Sequence, residues 1–146
     1  LKSYSVEVSG KVNDVTMPRV KNIELIGYLT AFINSMADDI DVFTDYLIIS
    51  NKDKRRCYVD FLLQQGEENL IIEIKNPVHG FKRVISDGTE QLFNYLIISG
   101  ITKGILYIPP MSKKEELAIT TLNKNIDGKV YEIIQIYPKE RLNKAI

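Results

Sequence analysis

One cysteine is all this chain has. Cys57 by itself excludes an internal disulfide framework, a cysteine-rich zinc site and an all-cysteine iron–sulfur cluster, and it fits a reducing, cytoplasmic setting. Histidine is as scarce: His79, in the stretch "NPVHGFKRV", cannot build a zinc site alone. Neither sign of charge is in excess, since nineteen basic residues face nineteen acidic ones. The long-range pull of a basic domain on nucleic acid is therefore missing, and any phosphate contacts must come from local patches. No run approaches the roughly 18 to 20 apolar residues of a membrane span. The N-terminus also lacks a basic segment followed by an apolar one and a cleavage site, so we expect a soluble chain with no membrane partner. There is no G-x-x-x-x-G-K-[ST] phosphate loop, so an ATPase would lie on another part of the chain or on another protein. Internal repeats and low-complexity runs are absent.

What is present is ordinary in amount. A length of 146 residues suits one globular domain, and 45% hydrophobic with 26% charged residues removes the disordered and collagen-like classes. We expect a single domain over 1–146. Its start at Leu1 and its ending in "KERLNKAI", which reads as the beginning of another helix, lead us to expect a fragment of a longer chain.

The hydrophobic pattern gives the order of elements. "YSVEVSGKV" alternates as a short edge strand. "VKNIELIGYLTAFINSMADD" places Ile23, Ile26, Leu29, Ile33 and Met36 at helical spacing, with Asn22 as N-cap. Then "VFTDYLIIS" and "CYVDFLLQQ" read as strands around the polar turn "NKDKRR", and "GEEN" turns into a third strand, "LIIEIKN". After a loop with Pro77 and Gly80, "DGTEQLFNYLIISG" predicts a helix closed by Gly100. "GILYIPP" predicts a strand, "KKEELAITTLNKN" a helix and "KVYEIIQIYP" a last strand. This is an α/β (α+β) domain with a mixed central sheet flanked by helices: short turns make antiparallel hairpins, and helical crossovers favour parallel pairs.

Two strands carry charge where burial is expected. Side chains alternate faces along a strand, so Glu73 and Lys75 share one face and Ile72 and Ile74 the other. With Asp60 on that same face, two carboxylates and an ammonium would converge in a mostly buried sheet, at a large desolvation cost unless they pair with each other or with a metal. A solvent-facing E-x-K alternation is the plainer alternative. The next helix adds Gln91 and Tyr95 at i and i+4, one turn apart on one face.

The pattern Asp60, Glu73-Ile74-Lys75, then Gln91-x-x-x-Tyr95 resembles the PD-(D/E)XK nuclease superfamily, in its RecB-like branch with a Q-x-x-x-Y helix. "DGTEQLFNYLIISGITKGILYI" is similar to nuclease domains attached to AAA-type ATPases, with a D-G-x-x-Q-L-x-x-Y helix before a Gly-leading strand. The resemblance covers roughly residues 20–110. It implies a restriction-endonuclease-like core of order α-β-β-β-α-β, here with an added helix and strand. Val59 stands where the named motif has proline, a frequent variation.

The resemblance further implies that the carboxylates of Asp60 and Glu73 and the backbone carbonyl of Ile74 bind Mg2+ or Mn2+, which take hard oxygen ligands. Lys75 would orient the attacking water or stabilise charge on phosphate. Gln91 would lie near the metal shell or the nucleic-acid backbone, and Tyr95 would contact phosphate or brace Lys75; as a core aromatic, Tyr95 also has a purely structural reading. Glu24 is the candidate for a further carboxylate from the first helix, where a glutamate also suits the helix dipole. For nucleic-acid contact the candidates are Lys82 and Arg83, which precede the Gln91 helix, and Lys54 and Arg55 in the "KDKRR" turn, a place where lysines also protect sheet edges. The implied substrate is nucleic acid, DNA favoured over RNA, with an ATPase or other partner domain. A homo-oligomer is compatible with the sequence without being specified by it. Two alternatives stay open: a catalytically silent nucleic-acid-binding module on the same fold, and a regulatory or assembly domain whose charges form a structural ion network.

Overall fold

The computed structural model describes residues 30–35, 39–50, 52–75, 80–110, 112 and 114–139. Its elements are α1 (30–35), β1 (Asp41–Ile49), β2 (Arg56–Gln65), β3 (Glu68–Ile74), α2 (Phe81–Ser99), β4 (Lys103–Tyr107), β5 (Leu117–Ile126) and β6 (Lys129–Pro138). The six strands form one sheet in the order β1-β2-β3-β4-β6-β5. Hairpins β1–β2, β2–β3 and β5–β6 are antiparallel, while β3–β4 and β4–β6 are parallel. The mixed sheet expected from turn lengths is thus present. The strand expected at 4–12 and most of the helix expected at 20–39 lie outside the described residues, as do Glu24 and His79.

One element corrects the sequence reading. Residues 113–125, expected as a helix, contain strand β5, which pairs with β6 from Leu117↔Pro138 to Ile126↔Lys129. The reason is local. Ile119, Thr120 and Thr121 are a β-branched run that fits a pleated surface better than a helix. The turn Asp127-Gly128, with φ of 52° and 82°, has the two left-handed residues of a type I′ hairpin. β6 then enters the sheet between β4 and β5, so the parallel β4–β6 pair is made without a helical crossover. Helix α2 also begins earlier than "DGTEQ", at Phe81, where Phe81 and Ile85 pack on Ile108 and Tyr137.

Apolar side chains fill both faces of the sheet. On one face, Leu92 and Leu96 of α2 cover Leu62, Ile71, Leu106 and Ile133. On the other, Phe61, Ile72, Ile74, Tyr107 and Ile136 gather with Ile33 of α1. Gly100 ends α2 in a left-handed conformation, its N–H donating to the Leu96 carbonyl at 2.9 Å, and the Lys129 ammonium donates to the Gly100 carbonyl.

Helix α2 lies close to the sheet because two positions lack a side chain. A Cβ at Gly104 would meet three Leu92 side-chain atoms at 3.1 Å, and one at Gly88 would meet Leu106 at 3.2 Å and the Lys75 stem at 3.5 Å. Leu92 is fully buried and has no free direction to yield. Gly104→Ala is therefore expected to destabilise the domain by about 1–3 kcal/mol through overpacking, read as a lower urea midpoint with an unchanged slope.

Candidate active site

The site forms where strand pairing breaks. The β2–β3 ladder runs from Gln65↔Glu68 to Phe61↔Ile72, and its regular continuation would pair Val59 with Ile74. Instead the Ile74 N–H donates to Asp60 Oδ2 at 2.8 Å, and the Asp60 N–H donates to Glu73 Oε1 at 2.9 Å. On the other side of β2, the register passes from Thr44↔Phe61 to Tyr46↔Val59 without pairing Asp45 and Asp60. The strand changes face at this point: Val59 packs in the α2-side core and Phe61 in the opposite one, although residues two apart in a regular strand share a face. Side-chain carboxylates have replaced backbone acceptors where the strand twists.

Glu73 is 4% exposed, and across the sheet it stands in a row with Leu106 and Gln135. Burial, and then the charge of Asp60, push its carboxyl up to about 8; the Asp60 N–H and the Lys75 ammonium pull the other way and do not balance them. Near neutral pH this carboxyl therefore holds a proton in the absence of a cation. Cys57 is buried beside it, and desolvation together with the Glu73 charge raises its thiol, so it stays protonated and is no nucleophile. The Tyr95 hydroxyl is raised by burial and then by Glu73.

A second chain of contacts runs along α2. Lys75 Nζ donates to Gln91 Oε1 at 2.9 Å, and Gln91 Nε2 donates to the Tyr95 hydroxyl oxygen at 2.9 Å. The Lys75 stem passes Gly88, while its backbone N–H is held by the Tyr107 carbonyl at 3.0 Å. Both ends of the lysine are fixed, and its ammonium lies on the Glu73 side of the strand. Farther along the helix, Gln135 Nε2 donates to Thr89 Oγ1, which donates to the Ile85 carbonyl, so the neighbouring buried polar groups are satisfied.

Asp60, Glu73, Lys75, Gln91 and Tyr95 are thus brought together in one cluster. Lys82, Arg83, Lys54 and Arg55 are not part of it. All four are exposed; Arg83 pairs with Asp87 at 3.5 Å and Arg55 with Asp53. Such exposed pairs hold little energy and leave the cations available. Three neighbours of the site were not foreseen as such: Gly88 under the lysine stem, Cys57 beside Glu73, and Asp45 across from Asp60. The "DG" one turn before Gln91, inside α2, carried a signal for the first; the other two have none that a linear pattern shows.

The donor set fits a hard divalent cation. Neighbouring residues in a strand point their backbone groups to opposite edges, and the N–H and C=O of one residue point to the same edge. The Ile74 N–H reaches Asp60, so the Ile74 carbonyl faces that side too. Two carboxylates and a carbonyl are all-oxygen ligands, which suits Mg2+ or Mn2+ retaining several waters. Among the described residues no group of three acidic, histidine or cysteine side chains gathers. The ligands available here are therefore this pair and the carbonyl.

In class, a six-stranded mixed sheet flanked by helices is compatible with a restriction-endonuclease-like fold. In particular, the chain is similar in structure to one from the assembly of Thermococcus gammatolerans McrB AAA+ hexamers with bound McrC, with a TM-score of 0.54 and 10% identity over 80% of this chain. It spans 27% of the length of that chain, and at this identity the likeness is one of fold. No family model matches, and no curated protein matches. Among the described residues no helix is long and apolar enough to cross a membrane.

The raised Glu73 carboxyl links stability to pH. The folded chain keeps a proton that the unfolded chain, at an ordinary value of 4.5, has already released. This contribution is complete below about pH 4.5 and is lost as pH rises through about 8. With chelator present, urea stability should fall by on the order of 3–5 kcal/mol across that window, and Glu73→Gln should remove most of the slope.

Proposed function

We propose that this chain is a metal-dependent nuclease domain that hydrolyses phosphodiester bonds, DNA favoured over RNA. One observation carries the reading: a buried carboxyl, Glu73, faces a second carboxyl, Asp60, with a lysine fixed on the same side. Burying such a pair is costly for a purely structural purpose. A divalent cation bound there would lower the pKa of a bound water and draw charge from the scissile phosphate.

The residues divide the work. Asp60 and Glu73 are each fixed by a backbone N–H, so both present their remaining oxygen capacity without reorganisation. Glu73 must release its proton for the cation to bind, which makes affinity rise with pH. Lys75 supplies a compact positive charge for the attacking water or the developing phosphate charge. Gln91 holds the ammonium in place, and the Tyr95 hydroxyl holds Gln91, so both are positioning residues. Lys82, Arg83, Lys54 and Arg55 would meet the phosphate backbone. A further carboxylate from Glu24 would complete the set. The similar chain comes from an assembly of McrB AAA+ hexamers with bound McrC, which supports an ATPase partner here; a role in prokaryotic defence would fit the motif resemblance.

One observation favours a second reading, a structural network in a binding or assembly module: both carboxylates already accept backbone N–H groups that the sheet leaves unpaired. Calorimetric titration of manganese separates the two. Wild type should bind; Asp60→Asn and Glu73→Gln should lose at least about a hundredfold in affinity. Lys75→Ala should retain binding yet lose plasmid nicking, as removal of a transition-state contact does. No binding by wild type would leave the structural network as the better account.

A further inference from the structure

We propose that Asp45 is a positioning residue: its left-handed backbone turns the Asp60 peptide out of the sheet and so sets the two carboxylates side by side. That the pair serves a cation rests on the function proposed above; the geometry does not depend on it.

Among the described residues three non-glycine positions have positive φ: Lys54, Asp127 and Asp45. Lys54 and Asp127 lie in connections between strands, where this is ordinary. Asp45, at φ 47°, lies in the middle of β1, an edge strand. An L-residue adopts this conformation inside a strand only when its surroundings hold it there. Its short polar side chain makes aspartate one of the few types that tolerate it.

The place of the irregularity matters. Thr44↔Phe61 and Tyr46↔Val59 bracket Asp45 opposite Asp60. Ile72 and Ile74 send their backbone groups toward β2, and Phe61 answers Ile72, so in a regular strand the Asp60 N–H would point the other way, toward Asp45. It instead reaches Glu73 Oε1 on β3. With Asp45 out of the extended conformation, no β1 partner waits for that peptide, which is free to rotate. The rotation explains why Val59 and Phe61 pack in opposite cores, and it resembles the way a β-bulge re-aims a side chain. The Asp45 side chain itself is exposed, so its backbone is the part that acts.

The test replaces Asp45 by residues graded in their tolerance of left-handed backbone. Amide hydrogen exchange reads the two unusual hydrogen bonds, and manganese calorimetry reads the site. Asp45→Gly and Asp45→Asn should keep the Asp60 and Ile74 amides protected and hold manganese affinity within about threefold of wild type. Asp45→Val should speed exchange at those two amides, and weaken manganese binding, by about tenfold or more, while the ladder amides of Ile72 and Leu63 stay protected. Should Asp45→Val fail to fold, Asp45→Ala gives the same comparison at smaller amplitude. Wild-type protection in Asp45→Val, or in Asp45→Ala where that variant replaces it, would overturn the proposal. So would equal loss in the Asn and Gly variants, which would assign the effect to the carboxylate. If wild type binds no manganese, the functional reading fails while the exchange data still decide the role of Asp45.

Discussion

Two backbone amides that a regular sheet would give to carbonyls are taken here by carboxylates, and the rest of the site depends on that exchange. A hydrogen bond to a charged acceptor is worth about 1.5–3 kcal/mol, roughly twice a neutral one. That is enough to hold a twisted strand in place, though it does not offset the full cost of a buried pair of negative charges. The imbalance appears as the raised Glu73 carboxyl. A proton relieves it in the free chain. A divalent cation would relieve it better, because it interacts with both carboxylates at once.

Close approach of α2 is the second constraint. Gly88 and Gly104 place no side chain between the helix and the sheet, one against Leu106 and the lysine stem and the other against Leu92. The helix thereby brings Gln91 within hydrogen-bond reach of Lys75. Without that acceptor the ammonium would lose the partner that fixes its position beside the carboxyl pair. Held by a neutral amide, it keeps its charge for a ligand. The Tyr95 hydroxyl, raised by its surroundings and so protonated, fixes the amide without adding charge.

Most of the sheet was legible because its signals are local. Period-two alternation and short turns marked β1, β2, β3, β4 and β6, and Gly100 marked the end of α2. "KKEELAITTLNKN" reads as a helix because it opens with a charged, helix-favouring stretch, which outweighs the β-branched Ile119-Thr120-Thr121 until Asp127-Gly128, just beyond it, is read as a hairpin turn. The cluster of Asp60, Glu73, Lys75, Gln91 and Tyr95 could be read because its members sit at fixed offsets on adjacent elements. Asp45 and Cys57 could not. Their link to the site comes from register and from a rotated peptide, which exist only once strands are paired. Asp45 breaks the pattern of its own strand beside the site, where local rules give way to geometry.

A neutral domain raises the question of how it would hold a polyanion. Its cations are matched in number by acidic residues, and Arg83 and Arg55 each have an aspartate beside them. Non-specific affinity for DNA grows with the number of phosphates neutralised and falls steeply with salt. Cations offset by nearby acidic groups, with a screening length of about 8 Å at physiological ionic strength, give weak capture. On the proposed reading the domain is thus built for chemistry more than for binding: its carboxylates and lysine are pre-set, while its surface does little to recruit. Tethering to a partner that already holds nucleic acid would supply what the surface lacks, since an intramolecular encounter proceeds at an effective concentration on the order of millimolar without any new contact. A weak surface beside a rigid site also has a regulatory consequence. Cutting would follow delivery of the substrate, and the domain would stay silent when its partner is absent or idle.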